Sequence, residues 1–482
     1  MRSMSPVQRL ARLTSLGKRL SLLQTSILAS AFLVVALFSW SFSGPVNSGF
    51  DSAYHLGNIW CAHGDRSEIC EIVTNENGQR SGKVPAELST GIKSTDKSNT
   101  ILAGPTTKSP YYSIMGFLVG KNVALSVLLM RVLSSILVGL IFFALIFLSA
   151  NRIRLAVVSA WTFTISPILI GTFWQSTPRS WGYLSVMSGW AFLYMALNEQ
   201  RGTRRNYAQW ILFFIACLLA FTSRKDASMF LIFTCGIVLL IHLFRNMKVP
   251  VKRLALLFGF FVSAFIVIRY FFSSIRSYTR LDISSIFENS RTVFVLVHLP
   301  ENIADAFGLG LRYHDIGPNT IGIIGLSLFA YALSSWLKNG NRISYFSVTV
   351  TTFFLFLVMF QISFNWPETT PATGVYTAAL LPVILGFSAV YAESAEGISR
   401  TGASLFLVIS LLSFSHALTL YSKFEWSVRD SEVNDTYTRL SLTGNWWWNT
   451  AISPNHVYLI GVLAFPIWLF FSWSAVNAHP SE

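Results

Sequence analysis

Asp51 and His55 are the first acid and the first histidine of the sequence, and they lie four positions apart. On a helix this spacing places both side chains on one face. A carboxylate there could take a proton from a hydroxyl, and an imidazole could bind a phosphate or orient the acid. The alternative is structural, because an Asp that precedes a helix also serves as its N-cap. Spacing alone favours neither interpretation, so both stay open.

Basic residues that could bind an anionic group form a second set of candidates. Arg224 and Lys225 adjoin Asp226, and Arg179 lies in another short polar segment. Guanidinium groups match phosphate geometry, although each could instead be an interfacial anchor that reaches the headgroups. Arg131 falls inside an apolar stretch, where a buried charge is costly and usually functional. It is predicted to bind an anionic group, and pairing with a neighbouring helix is equally consistent.

Cysteines and aromatic residues supply further candidates. Cys61 and Cys70 share one polar loop, and a bridge between them would close a ring of about ten residues; two free thiols are the alternative. Trp366, Glu368 and Trp447 lie at predicted membrane interfaces. Aromatic belts are the default there, and stacking on a sugar ring is the alternative.

The composition of the 482-residue chain places these residues in a membrane protein. Hydrophobic residues make up 52% of the sequence and charged residues 12%, about half of the ~25% that is usual in globular proteins. A membrane-spanning helix needs ~20 mostly apolar residues. Such runs predict an all-α polytopic protein with about twelve transmembrane helices. The predicted spans are 21–42, 122–149, 155–174, 181–197, 209–221, 228–244, 254–272, 320–337, 343–363, 374–392, 402–420 and 456–476.

Lys and Arg residues fall mainly on one side of these spans. They are concentrated in the N-terminal tail 1–20 and in alternate loops, whereas the opposite short loops contain Arg179, Arg224 and Lys225. The positive-inside rule therefore predicts a plasma-membrane protein with both termini in the cytoplasm. The net charge of +14 comes mostly from these Lys and Arg residues on the predicted cytoplasmic side. No nucleic-acid partner is therefore expected.

Three long polar loops are predicted to face the extracytoplasmic side of the membrane domain 21–482. They cover 43–110, 273–319 and 421–455. Their aromatic residues favour ordered structure, but the Ser-, Thr- and Lys-rich stretch 72–109 is expected to be mobile.

The motifs of these outer segments, taken in order, resemble those of the GT-C class of integral membrane glycosyltransferases. More narrowly, they resemble an actinobacterial family of polytopic membrane proteins with a D-x-x-x-H-L-x-x-I/T-W-C segment, here Asp51 to Cys61. The other matching motifs are Pro110-Tyr111-Tyr112, Pro178-Arg179-Ser180-Trp181, Arg224-Lys225-Asp226, Gly308-Leu309-Gly310 followed by Asp315, and Trp446-Trp447-Trp448 with Ser453-Pro454. The sequence departs from the pattern at Ser52, where related chains often carry a second acid, and at 370–373, where many carry an Arg.

The resemblance implies a glycosyltransferase that uses a polyprenyl-phosphate-linked sugar donor at the extracytoplasmic face. The acceptor would be a cell-envelope glycan or a lipid, and membrane lipids would be the other partners. Asp51 and His55 would be catalytic, and the donor phosphate would contact Arg131, Arg179, Arg224 and Lys225. The predicted substrate-binding residues are Tyr111, Tyr112, Asp226, Asp315, Trp366, Glu368 and Trp447. A transporter or flippase, or a polymerase or ligase of lipid-linked glycans, is the alternative. The sugar, the acceptor, a divalent metal and the oligomeric state are left open.

Overall fold

The computed structural model describes residues 20–48, 51–66, 68–74, 80–103, 109–165, 167–247, 319–365, 377–393, 402–428, 446–448 and 450–478. These residues are mostly helical, as the sequence predicts. They also contain a small β-sheet, so the expectation of an all-α protein is wrong in this respect.

The long helices follow the apolar runs of the sequence, and several shorter helices lie between them. They are α1 (Leu22–Ser41), α2 (Ser52–Trp60), α3 (Glu87–Thr90), α4 (Pro110–Gly116), α5 (Val123–Phe147), α6 (Asn151–Thr164), α7 (Pro167–Phe173), α8 (Pro178–Asn198), α9 (Arg204–Ser223), α10 (Lys225–Met247), α11 (Asn319–Lys338), α12 (Arg342–Asn365), α13 (Leu381–Val390, after the 3₁₀ turn Ala378–Leu380), α14 (Gly402–Val428) and α15 (Pro454–Asn477).

Polar residues fix where several of these helices begin. Ser21 and Gln24 form a reciprocal capping box at the start of α1. Asn122 accepts a hydrogen bond from the backbone of Leu125 at the start of α5, and Ser453 caps α15 in the same way. These caps satisfy N–H groups that would otherwise lack a partner in the first turn.

Seven helices of the described residues are long and apolar enough to cross a membrane. They lie in Leu22–Ser41, Val123–Phe147, Arg204–Ser223, Lys225–Leu243, Arg342–Met359, Leu405–Phe424 and Pro454–Val476. The predicted count of about twelve is therefore not shown. The predicted span 155–174 is divided between α6 and α7, and the predicted span 254–272 lies outside the described residues.

The centre of the helical bundle is α8, which packs against α9 and α10. Its residues from Pro178 to Leu193 are all buried, although the sequence includes Arg179 and several Ser and Gly residues. Because neighbouring helices surround it, α8 does not need a uniformly apolar surface. A second group of helices forms where α1 packs along α15 and α5.

Buried Arg154 connects the C-termini of α5 and α15 by hydrogen bonds. It donates hydrogen bonds to the carbonyl oxygens of Ile146, Ser149 and Ala475 at 3.1, 2.8 and 3.0 Å. These carbonyls lie at helix C-termini, where they lack intrahelical partners and attract positive charge.

A three-stranded antiparallel sheet covers α2. Its strands are β1 (Glu71–Thr74), β2 (Arg80–Pro85) and β3 (Lys97–Ile101), in the order β1-β2-β3. In the register, Glu71 faces Lys83 and Gly82 faces Thr100. The expectation that this stretch is mobile is therefore wrong for the strands. Gly82 and Val84 are buried, while Lys83 between them is exposed. The strand therefore alternates as a half-buried strand does, but Gly and Lys in this stretch gave no apolar pattern that would have predicted it.

Candidate functional site

Asp51 occupies the position before α2, but its side chain makes no capping hydrogen bond. Its backbone is left-handed, with φ of 60° and ψ of 15°, a conformation that Asp and Asn tolerate better than other residues with a Cβ. The Oδ2 atom lies 4.0 Å from Nη2 of Arg179. Because the Asp51 side chain is 48% exposed, its carboxylate is accessible to a ligand. The structure lacks the side-chain bond that the N-cap interpretation requires.

His55 lies one turn further along α2 and is buried. Its Nδ1 atom shares a hydrogen bond of 2.8 Å with the hydroxyl of Tyr112. Burial lowers the pKa of His55 well below its ordinary value, and the nearby guanidinium groups of Arg224 and Arg179 lower it further. The imidazole is therefore neutral near pH 7. A neutral, buried ring is better suited to orienting its neighbours than to binding a phosphate by charge.

Arg179 lies in the first turn of α8, and its side chain is only 3% exposed. Pro178 begins that helix, as expected for a residue whose missing N–H is not needed there. The neighbouring Trp181 packs edge-to-face on Tyr111, with ring centroids 4.9 Å apart. Tyr111 is fully buried, and burial raises the pKa of its hydroxyl. Tyr111 thus acts as packing between α4 and α8.

Arg224 and Asp226 form a close ion pair between α9 and α10. Nε of Arg224 lies 3.0 and 3.1 Å from the two carboxylate oxygens of Asp226, and Nη2 lies 2.9 Å from Oδ2. Lys225 lies between them as the first residue of α10. Ser109 fixes the position of this segment, since its hydroxyl lies 2.7 Å from the carbonyl oxygens of both Thr222 and Ser223.

A narrow cleft between α8 and α10 begins at these charges. Its lining residues are Arg179, Gly182, Tyr183, Val186, Arg224, Asp226, Ala227 and Phe230. The two helices approach closely here, because a Cβ at Gly182 would lie 2.8 Å from the Cβ of Ala227. One end of the cleft is polar and the other is apolar. Val186 and Phe230 at the apolar end are buried, at 0% and 2% exposure, so the part of the cleft that a ligand could contact is its charged end.

The three-stranded sheet is attached to the helix that carries Asp51 and His55. Cys61 and Cys70 are joined by a disulfide with a Cα–Cα distance of 5.3 Å, and Gly82 of β2 packs against this bridge. Asn58 accepts a hydrogen bond of 2.7 Å from the backbone N–H of Ala103 and donates one of 3.3 Å to the carbonyl of Ile101. The bridge and Asn58 therefore hold α2 against the sheet.

Arg131 does not lie in the cleft as a phosphate ligand. It is 1% exposed, and its guanidinium donates to backbone carbonyl oxygens at the end of α1 and just after it, beginning with Ser41 at 2.7 Å. The prediction that Arg131 reaches a donor phosphate disagrees with these contacts, because both of its terminal nitrogens are already bonded within the protein. The alternative, in which it bonds to a neighbouring helix, describes the structure better.

The remaining candidates are not brought to the cleft. The ring of Trp447 lies in the segment before α15, with Nζ of Lys93 at 5.4 Å from its centroid. Asp315, Trp366 and Glu368 lie outside the described residues. No group of three or more His, Cys, Asp or Glu residues that could hold a metal occurs in the part of the chain that the structure describes.

Sequence reasoning missed Ser109 and Tyr183. Ser109 caps α4 through the backbone N–H of Tyr111 at 3.2 Å. The Ser-Pro pair at the start of a predicted helix was a usable signal for this cap. Tyr183 carries no local signal, because its place in the cleft depends on how α8 packs against α10.

These elements together define a polytopic membrane protein with charged residues gathered at the starts of α2, α8 and α10. Residues 32–307 match the family described as predicted membrane protein (DUF2142). Since the match covers more than half of the chain and includes Asp51, Arg179 and Arg224, the chain belongs to this family. No curated protein and no solved structure matches it.

Proposed function

We propose that the protein is a GT-C-like glycosyltransferase that moves a sugar from a polyprenyl-phosphate-linked donor to a glycan or lipid acceptor at the extracytoplasmic face. The observation that carries this proposal is the placement of the exposed Asp51 carboxylate beside Arg179, at the polar end of the cleft. A base and an anion-binding group thus lie side by side. The motifs that occur in the same sequence order as in GT-C enzymes support the same proposal.

The electrostatics of the site suit a phosphate. Asp51, Arg179 and Lys225 all lie at the beginning of a helix, where the partial positive charge of unpaired N–H groups favours anions. Arg179 and Arg224 add guanidinium groups, which bind phosphate oxygens in pairs. Val186 and Phe230 of the cleft are buried between α8 and α10, so the hydrocarbon chain of the donor would stay in the surrounding bilayer.

In the proposed reaction the acceptor hydroxyl attacks the anomeric carbon of the donor sugar. Asp51 takes the hydroxyl proton as the new C–O bond forms. The bond between the anomeric carbon and the phosphate oxygen breaks, and its electron pair leaves with the phosphate. Arg224 and Arg179 stabilise that leaving group, and His55 with Tyr112 holds α2 in place. General-base assistance of this kind contributes about 10²–10⁴-fold in rate.

The test is turnover of synthetic donors by the full chain in proteoliposomes. A panel of radiolabelled polyprenyl-phosphate sugars is supplied with cell-envelope extract as the acceptor, and released polyprenyl phosphate is measured. Asp51→Asn keeps the size of the side chain and removes the basic carboxylate, so release should fall by about 10²–10⁴-fold. Asp65→Asn, an exposed acid of the same loop, is the matched control and should retain full turnover.

The outcome also separates the proposal from a transporter or flippase. A transporter would move the labelled donor across the bilayer without breaking the sugar–phosphate bond. Turnover by Asp51→Asn equal to that of the wild type would contradict the catalytic role of this carboxylate.

A further inference from the structure

We infer that Arg131 is a positioning residue that holds the chain segment leading to Asp51 and couples it to Trp448, which lies before α15. The inference rests on the proposed function only in naming Asp51 as the base. Its structural part stands on the contacts of Arg131 alone.

The guanidinium of Arg131 binds carbonyl oxygens of residues 41–46, the turn in which α1 ends and the chain leaves toward α2. The bonds are Nη1 to the oxygens of Ser41 and Gly44 at 2.7 and 3.1 Å, and Nη2 to those of Pro45 and Val46 at 2.7 and 3.0 Å. Four acceptors from a single turn thus converge on one buried cation. Asp51 follows this turn by a few residues, so the turn sets where α2 begins.

Two tryptophans from distant parts of the chain complete the surroundings of the guanidinium. The ring centroid of Trp174 lies 4.5 Å from Cζ of Arg131, and that of Trp448 lies 5.2 Å away. Nε1 of Trp448 also donates a hydrogen bond of 3.2 Å to the carbonyl of Gly44. The Gly44 oxygen therefore accepts from both Arg131 and Trp448, which links the segment before α15 directly to the segment before Asp51.

The chemistry of the guanidinium explains why an arginine is found here. Ser41 is the last residue of α1, and carbonyls at a helix C-terminus lack partners and attract positive charge. Few backbone bonds hold the turn itself, such as Ser43 N–H to the carbonyl of Trp40. A planar fork of fixed N–H groups can reach four carbonyls at once, whereas a lysine ammonium has three donors at one point.

The test measures backbone hydrogen exchange of the full chain in lipid nanodiscs. In Arg131→Met, amides of residues 42–48 and 52–60 should exchange at least about tenfold faster, because the turn loses its shared donor. Arg131→Lys should recover part of that protection, since it restores up to three donors. Trp448→Leu should raise exchange at the same amides, which tests the coupling between the two segments.

Arg154→Met is the matched control, because Arg154 is also a buried arginine bonded to helix-end carbonyls. It should leave residues 42–60 unchanged. The inference is overturned if Arg131→Met leaves these amides protected, or if it raises exchange equally in β2, β3 and the rest of the chain. In the second case the residue would support the whole fold and would not position one segment.

A binding measurement separates positioning from phosphate contact. With undecaprenyl phosphate as the probe, Arg131→Met should bind within about threefold of the wild type, whereas Arg224→Gln should bind at least about tenfold more weakly. Equal loss of binding by both variants, with exchange at 42–60 unchanged in Arg131→Met, would restore the phosphate-ligand role. If the wild type does not bind the probe, the proposed function fails, and the exchange experiment still decides the role of Arg131.

Discussion

Nη2 of Arg179 lies 4.0 Å from Oδ2 of Asp51, which joins the start of α8 to the start of α2. The arginine is buried and the acid is half-exposed. An ion pair of this length with one exposed partner contributes little to stability. It does, however, leave the carboxylate close to a fixed positive charge and open to a ligand.

Replacing Asp51 by Gly or by Ala tests its left-handed backbone. Gly adopts positive φ without cost, whereas Ala at the same position is strained by about 1 kcal/mol or somewhat more. Asp51→Ala should therefore be less stable than Asp51→Gly by about 1 kcal/mol. The difference is measured by unfolding the purified protein in denaturant and monitoring the hydrogen-exchange protection of α2. Equal stability of the two variants would mean that the chain does not adopt positive φ at this residue.

Lowering the pH should loosen α2 through His55. Because the pKa of His55 is lower in the folded state, the unfolded segment binds a proton more readily than the folded one. Stability is therefore unaffected above about pH 6.5 and decreases as the pH falls below it. The loss grows by at most about 1.4 kcal/mol for each pH unit below 6.5, or about 2 kcal/mol at pH 5.

Hydrogen exchange of α2 between pH 7.5 and pH 5, corrected for the intrinsic rate, measures this loss. His55→Gln keeps a polar side chain near Tyr112 but cannot gain the proton. Its α2 should show a flatter dependence on pH than the wild type. Identical pH dependence in both proteins would show that His55 does not control this transition.

Removing the bridge between Cys61 and Cys70 should release the β-sheet from α2. Closing a ring of about ten residues contributes about 3 kcal/mol by loop entropy. The double variant Cys61→Ser, Cys70→Ser should lower the unfolding free energy of the segment 52–101 by about that amount. Limited proteolysis in nanodiscs reports the change, and Cys217→Ser, a free cysteine in α9, is the control. Unchanged protection of the sheet in the double variant would mean that Asn58 alone suffices.

The proposed orientation predicts which side of the membrane reacts with an impermeant thiol reagent. In a background without Cys217 and Cys235, Thr95→Cys on the exposed turn before β3 should be labelled in intact cells. Gln200→Cys, exposed between α8 and α9, should be labelled only after lysis. The reverse pattern would place the Asp51 site in the cytoplasm and contradict an extracytoplasmic reaction.

The sequence by itself determined that the chain is a membrane protein and where most of its long helices lie. The predicted spans 21–42 and 122–149 agree with α1 and α5 to within two residues. A run of about twenty apolar residues has few alternatives in a bilayer, because the backbone must satisfy its own hydrogen bonds there. The sequence also identified four polar motifs as candidate site residues, because each is a local group of polar residues between apolar runs. They surround Asp51, Tyr112, Arg179 and Arg224.

Tertiary structure decided which of these groups lie together. The pairing of Asp51 with Arg179, the bond between His55 and Tyr112, and the role of Arg131 all join residues that are distant in sequence. A charge in an apolar stretch shows that a partner must exist, because an unpaired charge is too costly there. It does not show whether that partner is a phosphate or a backbone carbonyl. The identity of the partner depends on which groups lie beside the charged side chain after the helices pack. For Arg131 these groups are the backbone carbonyls at the end of α1.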